Sequence, residues 1–170
     1  MDLSKFWKII AAGGREAQDD PDEKLQAIEE KLAKCSPEDL VSFQTLLDER
    51  MVEAYTVDLW GAAYLLNGGC SDDGFHYFCL WLISRGQKKF EAAVAQPDSL
   101  SRLADPDNDE YELEELGYLA PRLYEEAVGK EIPRSKLKWP KRPKGENWDY
   151  DNTEEVHARL PKLAAIYLEE

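Results

Sequence analysis

Residues 57–86 constrain the fold of this chain more than any other stretch. They contain two runs that are apolar on nearly every face, joined by a short polar turn, and helices of that kind are buried. Asn67-Gly68-Gly69 is typical of a helix end, because these residues tolerate the left-handed backbone found there. Ser71 has the position of an N-cap, with two aspartates in the first turn that follows. We therefore predict a buried helical hairpin around which the rest of the chain packs.

The sequence on both sides of the hairpin shows helical periodicity and no strand-like alternation, so the chain is predicted to be all-α. The third helix is the clearest: Ser36 caps it, and its apolar stripe leaves Asp48 in water. Asp98 is predicted to cap a turn of its own, and Pro121 either to lie near a helix start or to kink a long helix. Helices are predicted over residues 3–17, 22–34, 36–54, 87–95, 113–128 and 154–168, the last of them capped by Thr153 and broken near Pro161.

A basic, proline-rich segment separates the predicted core from the last helix. Residues 130–144 contain seven Lys or Arg, one Glu and three Pro, a composition that favours an extended strap. This gives a single compact multi-helix domain with a helical core (1–129), a strap (130–152) and a C-terminal helix (153–170) packed on the core. We expect the strap to lie across the acidic surface of the core. Trp139 and Trp148 would anchor it there or would anchor a partner.

Charge and cysteine content narrow the functional classes. The net charge of −14 repels phosphate backbones and anionic membranes, and it favours a cationic partner. A nucleic acid is an unlikely partner for such a chain, although Lys136, Lys138, Lys141, Arg142 and Lys144 with Trp139 offer a minor route to one. The three cysteines fit neither a disulfide framework nor a zinc knuckle, and no segment is a membrane span or a secretion signal. We expect a cytoplasmic protein with no membrane contact.

The polar turn of the hairpin holds the best cluster of candidate site residues. On a helix, a carboxylate at position 72 or 73 lies beside an imidazole at position 76, so the two groups could share a ligand or a proton. The alternative is that these side chains only cap the helix. No cofactor and no metal site is predicted, since a second histidine is lacking nearby. The candidate binding residues are Asp58, Asn67, Ser71, Asp72, Asp73 and His76, together with Trp139 and Trp148.

The middle of the chain contains a long and specific motif. Its residues are Asp58-Leu59-Trp60-Gly61-Ala62-Ala63-Tyr64, Gly69-Cys70-Ser71-Asp72-Asp73-Gly74-Phe75, Phe78, Trp81-Leu82-Ile83, Gly86, Phe90-Glu91 and Pro97-Asp98-Ser99-Leu100, with Phe6-Trp7 and the helix from Phe43 to Ala54 before it. This motif is similar to that of the bacterial domain-of-unknown-function family 4240, and the similarity covers roughly residues 1–128. The resemblance implies a small intracellular helical domain of bacteria and implies no activity.

Two functions of different classes follow from these patterns. The favoured hypothesis is a non-enzymatic intracellular interaction protein that binds a basic protein partner, as immunity proteins and small regulators do. It depends on the strong negative charge of the core and on the lack of a catalytic motif. The alternative is an enzyme with an Asp/His acid–base or metal site at the hairpin turn, formed by Asp58, Asp72, Asp73 and His76.

Overall fold

The structure is a computed structural model that describes residues 1–14 and 20–168, and its described part is all helical apart from one isolated backbone bridge. The all-α prediction is therefore confirmed. The helices are α1 (Leu3–Ile10), α2 (Pro21–Leu32), α3 (Pro37–Ala54), α4 (Val57–Leu66), α5 (Asp72–Ser84), α6 (Gln87–Ala95), α7 (Leu119–Val128), α8 (Thr153–Arg159) and α9 (Pro161–Tyr167), with 3-10 helices at Pro97–Arg102 and Glu114–Tyr118. No helix in this described part is long and apolar enough to cross a membrane.

The hairpin formed by α4 and α5 lies in the core, as its composition predicts. Phe78 and Leu59 are fully buried in it, and helix α3 packs against both α5 and α7. The predicted caps are in place: Ser36 Oγ accepts from the backbone N–H of Asp39 at 3.2 Å, and Ser71 Oγ accepts from that of Gly74 at 3.1 Å. The predicted stripe of α3 is entirely buried and consists of Leu40, Phe43, Leu47, Met51 and Ala54.

Three predicted helix boundaries are wrong. The single helix over residues 113–128 is divided into the 3-10 helix Glu114–Tyr118 and α7, because Pro121 lacks an N–H and therefore fits the first turn of a new helix. Asn152, and not Thr153, caps α8, with its side chain accepting from two backbone N–H groups. Helix α1 ends at Ile10, well short of residue 17, and residues 15–17 of the predicted helix lie outside the described residues.

Asp98 does not cap its own turn but caps α9, 64 and 65 positions later in the chain. Its carboxylate is 4% exposed, and Oδ1 accepts from the backbone N–H groups of Lys162 and Leu163 at 3.0 Å each. The N-cap position of α9 is Leu160, whose side chain has no acceptor, so the first turn of α9 lacks a local cap. A distant carboxylate therefore satisfies these helix donors and holds the C-terminal helix on the core.

The strap is docked to α4 by its C-terminal part. Lys144 exchanges backbone hydrogen bonds with Tyr55 and Val57, at 3.0 and 2.8 Å. The indole of Trp148 donates to Asp58 Oδ1 at 2.9 Å and packs against the backbone of Gly61, where a side chain would collide with it. The C-terminal part of the strap is therefore fixed to α4 by backbone pairing and by aromatic side chains, since the Tyr150 hydroxyl also donates to Val57 O at 2.9 Å.

The cations of the strap do not pair with the acidic surface as expected. Within the described part of the chain, none of the seven Lys and Arg side chains of residues 130–144 forms an ion pair. The half-buried residues of this segment are apolar or small, such as Ile132, Leu137 and Pro140, whereas its charged side chains face solvent. Apolar contact therefore decides which side of the strap faces the core.

Candidate functional site

A cleft of about 350 Å3 opens between α3, α5 and the 3-10 helix Glu114–Tyr118, one turn beyond the hairpin bend. Its apolar floor is formed by three buried side chains, Leu47, Met51 and Leu80. We call this space the acidic cleft. Its polar walls are formed by Asp48, Asp73, Glu114, His76, Tyr77, Tyr118 and Gln44. An apolar floor under carboxylates suits a ligand with an alkyl stem and a cationic end.

Asp48 is not fully solvated, although the periodicity of α3 predicted that it would lie in water. It is half-buried because α5 packs over this face of α3, and Gln44 Nε2 donates to its Oδ1 at 2.9 Å. Burial raises the pKa of Asp48, and this effect outweighs the hydrogen bond from Gln44 and the attraction of His76. Gln44 Oε1 is itself buried and has no hydrogen-bond partner within the described residues. The cleft thus contains a carboxylate whose negative charge is poorly compensated.

Glu114 and His76 complete the polar walls. Tyr118 donates its hydroxyl hydrogen to Glu114 Oε1 at 2.7 Å, which fixes that carboxylate at the cleft edge. Tyr77 also interacts with Glu114, and its own hydrogen bond to that carboxylate is the main cause that raises the pKa of Tyr77 to about 12. Desolvation lowers the pKa of the His76 imidazole, against the attraction of Asp48, Asp73 and Glu114. The lowered pKa favours the neutral imidazole, which does not compensate the charge of these carboxylates.

A smaller pocket of about 260 Å3 adjoins the cleft and shares Met51 and His76 with it. Its inner wall is aromatic: the rings of Trp60 and Phe75 stack with centroids 4.6 Å apart. Trp139 and Pro140 of the strap form the outer wall. Trp139 is 48% exposed and Tyr118, at the far end of the acidic cleft, is 57% exposed. Exposed aromatic side chains therefore flank the cleft on both sides.

The structure distributes the predicted site residues among three places. Four of them line the cleft and its adjoining pocket: Asp72, Asp73, His76 and Trp139. Ser71 caps α5, and Asn67 Oδ1 accepts from the backbone N–H of Tyr111 at 2.8 Å, so both have structural roles. Asp58 and Trp148 bind each other at the strap, and Arg159 contacts both, at 3.3 Å from Asp58 Oδ1 and 5.5 Å from the indole centroid. Asp58 and Trp148 thus take no part in the cleft.

The cleft residues that sequence reasoning missed are Asp48, Glu114, Tyr77 and Tyr118. Asp48 lies next to the buried stripe of α3, and nothing in the local sequence distinguishes it from Glu49 or Glu53. Glu114 belongs to a run of glutamates that is typical of a solvated face. The one local signal was the pairing of Gln44 and Asp48 at i, i+4, a spacing at which helical side chains interact.

No hydrogen bond in the described part of the chain joins the groups of the alternative hypothesis to one another, which are Asp58, Asp72, Asp73 and His76. Within the described residues, His76 makes no hydrogen bond to a carboxylate, and no three His, Cys, Asp or Glu side chains are grouped to hold a metal ion. The thiols nearby are poor nucleophiles: burial raises the pKa of Cys79 and raises that of Cys70 to about 12. What remains is a set of carboxylates, none of which pairs with a described lysine or arginine.

Comparison with known proteins identifies the core of the chain and not the strap. A family model described as a protein of unknown function (DUF4240) matches residues 1–126, which include both walls of the acidic cleft. This match confirms the resemblance inferred from the sequence and ends just before the strap begins. No curated protein and no solved structure matches the chain.

Proposed function

This chain belongs to the DUF4240 family, whose description states no activity, so we propose a function from the cleft itself. The protein is a non-enzymatic interaction protein that binds a basic protein partner. The acidic cleft receives a lysine or arginine side chain of that partner. The observation that supports this most directly is Asp48, a half-buried carboxylate with no cationic neighbour within ion-pair distance among the described residues.

The free energy of burying Asp48 favours such a ligand. A desolvated carboxylate destabilises the free protein, and a cation that enters the cleft compensates its charge. The apolar floor of Leu47, Met51 and Leu80 would contact the methylene stem of the incoming side chain. Asp73 and Glu114 would supply further carboxylate oxygens to a guanidinium or ammonium group.

The aromatic side chains at the two ends of the cleft extend the proposed interface. Tyr118 and Trp139 are exposed tyrosine and tryptophan residues, which are enriched among the side chains that dominate binding energy at protein interfaces. Their faces also attract the cations of a basic partner. Long-range attraction adds to these contacts, since the chain outside residues 130–144 carries a net charge of −20.

Replacing Asp48 by asparagine is expected to stabilise the free protein and to weaken binding of a cation. The raised pKa of Asp48 means that the folded state disfavours its ionised form at neutral pH, so the neutral amide raises the melting temperature. The same change is expected to weaken the binding of an arginine–glycine repeat peptide roughly fivefold, about 1 kcal/mol. Isothermal titration calorimetry and thermal unfolding measure the two effects.

Glu38→Gln provides a matched control, since Glu38 is an exposed carboxylate on the same helix, about 15 Å from Asp48 at 1.5 Å per residue. It removes the same charge but should change affinity much less. A peptide with citrulline in place of arginine should not bind, and added salt should weaken the arginine peptide. Equal loss of affinity in both variants, or equal binding of the citrulline peptide, would contradict the proposed site.

Binding of the arginine peptide is expected to weaken as the pH falls from about 7 to about 5, the range in which histidine titrates. Since the pKa of His76 is lowered, the midpoint of its protonation lies below the ordinary value of 6.5, and protonation places a positive charge beside Asp48, Asp73 and Glu114. Protonation of Asp48, whose pKa is raised, then removes a negative charge. Calorimetry across this range with His76→Gln as the comparison checks the origin. An unchanged pH profile in that variant would exclude His76 as its cause.

A further inference from the structure

The pocket of about 260 Å3 beside the acidic cleft has a lining of its own, and we call it the aromatic pocket. Its volume is just below the roughly 300 to 1,000 Å3 of ordinary small-molecule sites, so it suits a small group and not a whole cofactor. It shares two lining residues with the acidic cleft, Met51 and His76. Four of its nine described lining residues have large aromatic side chains: Tyr55, Trp60, Phe75 and Trp139.

Three of these rings form a fixed wall on the core side of the pocket. The rings of Trp60 and Phe75 are parallel within 4°, with centroids 4.6 Å apart, and the ring of Tyr55 lies 6.1 Å from each of them. The indole N–H of Trp60 donates to the backbone oxygen of Cys70 at 3.1 Å, and Phe75 is buried. A ligand that contacts these rings therefore immobilises no loose side chain on the core side.

Trp139 lines the outer side of the pocket, from the strap. Among the described residues, no ring contact joins its indole to Tyr55, Trp60 or Phe75, and it is 48% exposed. Pro140, which follows it, also lines the pocket and restricts the strap backbone there. A group held between the indole and the core rings would bury aromatic surface that is now in contact with water.

The carboxylate that lines the aromatic pocket gives it a negative charge. Asp72, in the first turn of α5, is exposed and forms no ion pair with a described lysine or arginine. The buried floor consists of Met51 and Cys79, and burial raises the pKa of the Cys79 thiol, which keeps it neutral. Lys138 and Lys141 of the strap are exposed and do not line the pocket. Because the faces of aromatic rings also carry negative potential, the pocket favours a cation.

The kind of cation follows from the scarcity of hydrogen-bond acceptors in the aromatic pocket. A lysine ammonium has three N–H donors, each of which loses a water molecule on burial and then needs an acceptor. The acidic cleft offers several carboxylates to such a group, whereas the aromatic pocket offers one. A quaternary ammonium group has no N–H, so enclosure by rings leaves no donor without a partner, and its methyl groups contact the ring faces.

We propose that the aromatic pocket binds a quaternary ammonium group, held between Trp139 and the core rings and balanced in charge by Asp72. Two kinds of molecule carry such a group: a free small molecule of the choline type, and a protein with a trimethylated lysine. The proposal goes beyond the lysine or arginine site of the acidic cleft and does not depend on it, since the rings and the carboxylate of the pocket belong to the pocket alone.

The test titrates choline chloride into the full-length protein while 15N NMR follows the indole N–H signals of Trp60 and Trp139. Both signals are expected to shift, and each is identified by its loss when that tryptophan is replaced. The neutral carbon analogue 3,3-dimethyl-1-butanol has the same shape and should bind at least about fivefold more weakly, the contribution of one cation–π contact. A peptide with one trimethyl-lysine separates the two sources. Tighter binding than choline assigns the group to a protein side chain, and equal or weaker binding assigns it to a free small molecule.

Variants of the two walls test the assignment of residues. Trp139→Leu should weaken choline roughly fivefold, and Trp139→Phe should weaken it less, because it keeps a ring face. Asp72→Asn should weaken choline roughly threefold, as the loss of an exposed charge partner does. Asp22→Asn is the matched control, since Asp22 is an exposed aspartate in the first turn of α2 and does not line the pocket. It should bind choline as the wild type does.

The proposal is overturned if neither choline nor the trimethyl-lysine peptide shifts an indole signal, or if the neutral alcohol binds as tightly as choline. Equal loss of affinity in Asp22→Asn and Asp72→Asn would also overturn it. Choline should bind whether or not the arginine peptide binds in the acidic cleft, so failure of the proposed function and failure of the aromatic pocket are distinguishable.

Discussion

Replacing Asp98 by alanine is expected to lower the free energy of unfolding by about 3 kcal/mol, the cost of leaving charge-assisted donors of a buried helix end without an acceptor. The carboxylate is 4% exposed and binds two backbone N–H groups at the start of α9, those of Lys162 and Leu163. Water cannot replace it without opening the contact between α9 and the 3-10 helix Pro97–Arg102. Urea unfolding measures the loss.

Asp98→Asn separates the loss of charge from the loss of the acceptor. The amide oxygen can still accept from the two backbone groups, so we expect this variant to lose only about 1 kcal/mol. Hydrogen exchange at Lys162 and Leu163 should accelerate strongly in the alanine variant and slightly in the asparagine variant. If those amides stay protected in Asp98→Ala, Asp98 does not hold the C-terminal helix in place.

Replacing Gly61 by alanine is expected to destabilise the protein by about 2 kcal/mol, as over-packing of a well-packed site does. A Cβ atom at this position would lie 2.3 Å from Cζ2 and 2.7 Å from Cη2 of Trp148. The indole cannot move away freely, because its Nε1 donates to Asp58 and its other edge meets the ring of Tyr150. We expect the segment 144–151 to be released from α4, and hydrogen exchange together with urea unfolding would detect it.

The Trp148→Ala background tests this explanation directly. With the indole removed, Gly61→Ala should become neutral or stabilising by up to about 1 kcal/mol, since alanine favours a helix interior over glycine by that amount. The effect of one substitution thus changes sign with the other. Equal destabilisation in the two backgrounds would show that Trp148 is not the reason for glycine at position 61.

Local patterns predicted most of the helices and several of their ends. The caps at Ser36 and Ser71 and the buried stripe of α3 depend on residues within a few positions of each other, so their physics is contained in the sequence. The boundary at Pro121 was misplaced because the same proline fits either a kink or a first turn. The turn residues Asp72, Asp73 and His76 were predicted as candidates because the hairpin itself was predicted. In the structure they line the cleft and its adjoining pocket.

The sequence by itself determined an all-helical chain with a buried hairpin, because apolar periodicity and helix caps act over one or two turns. Only the tertiary structure decided that Asp98 caps a helix 64 positions away, that Trp148 lies on Gly61, and that Asp48 is half-buried. Each of these depends on which helix packs against which, and side-chain spacing along one helix carries no information about its neighbour. The candidate cleft belongs to the second group, since its carboxylates come from three separate elements that packing brings together.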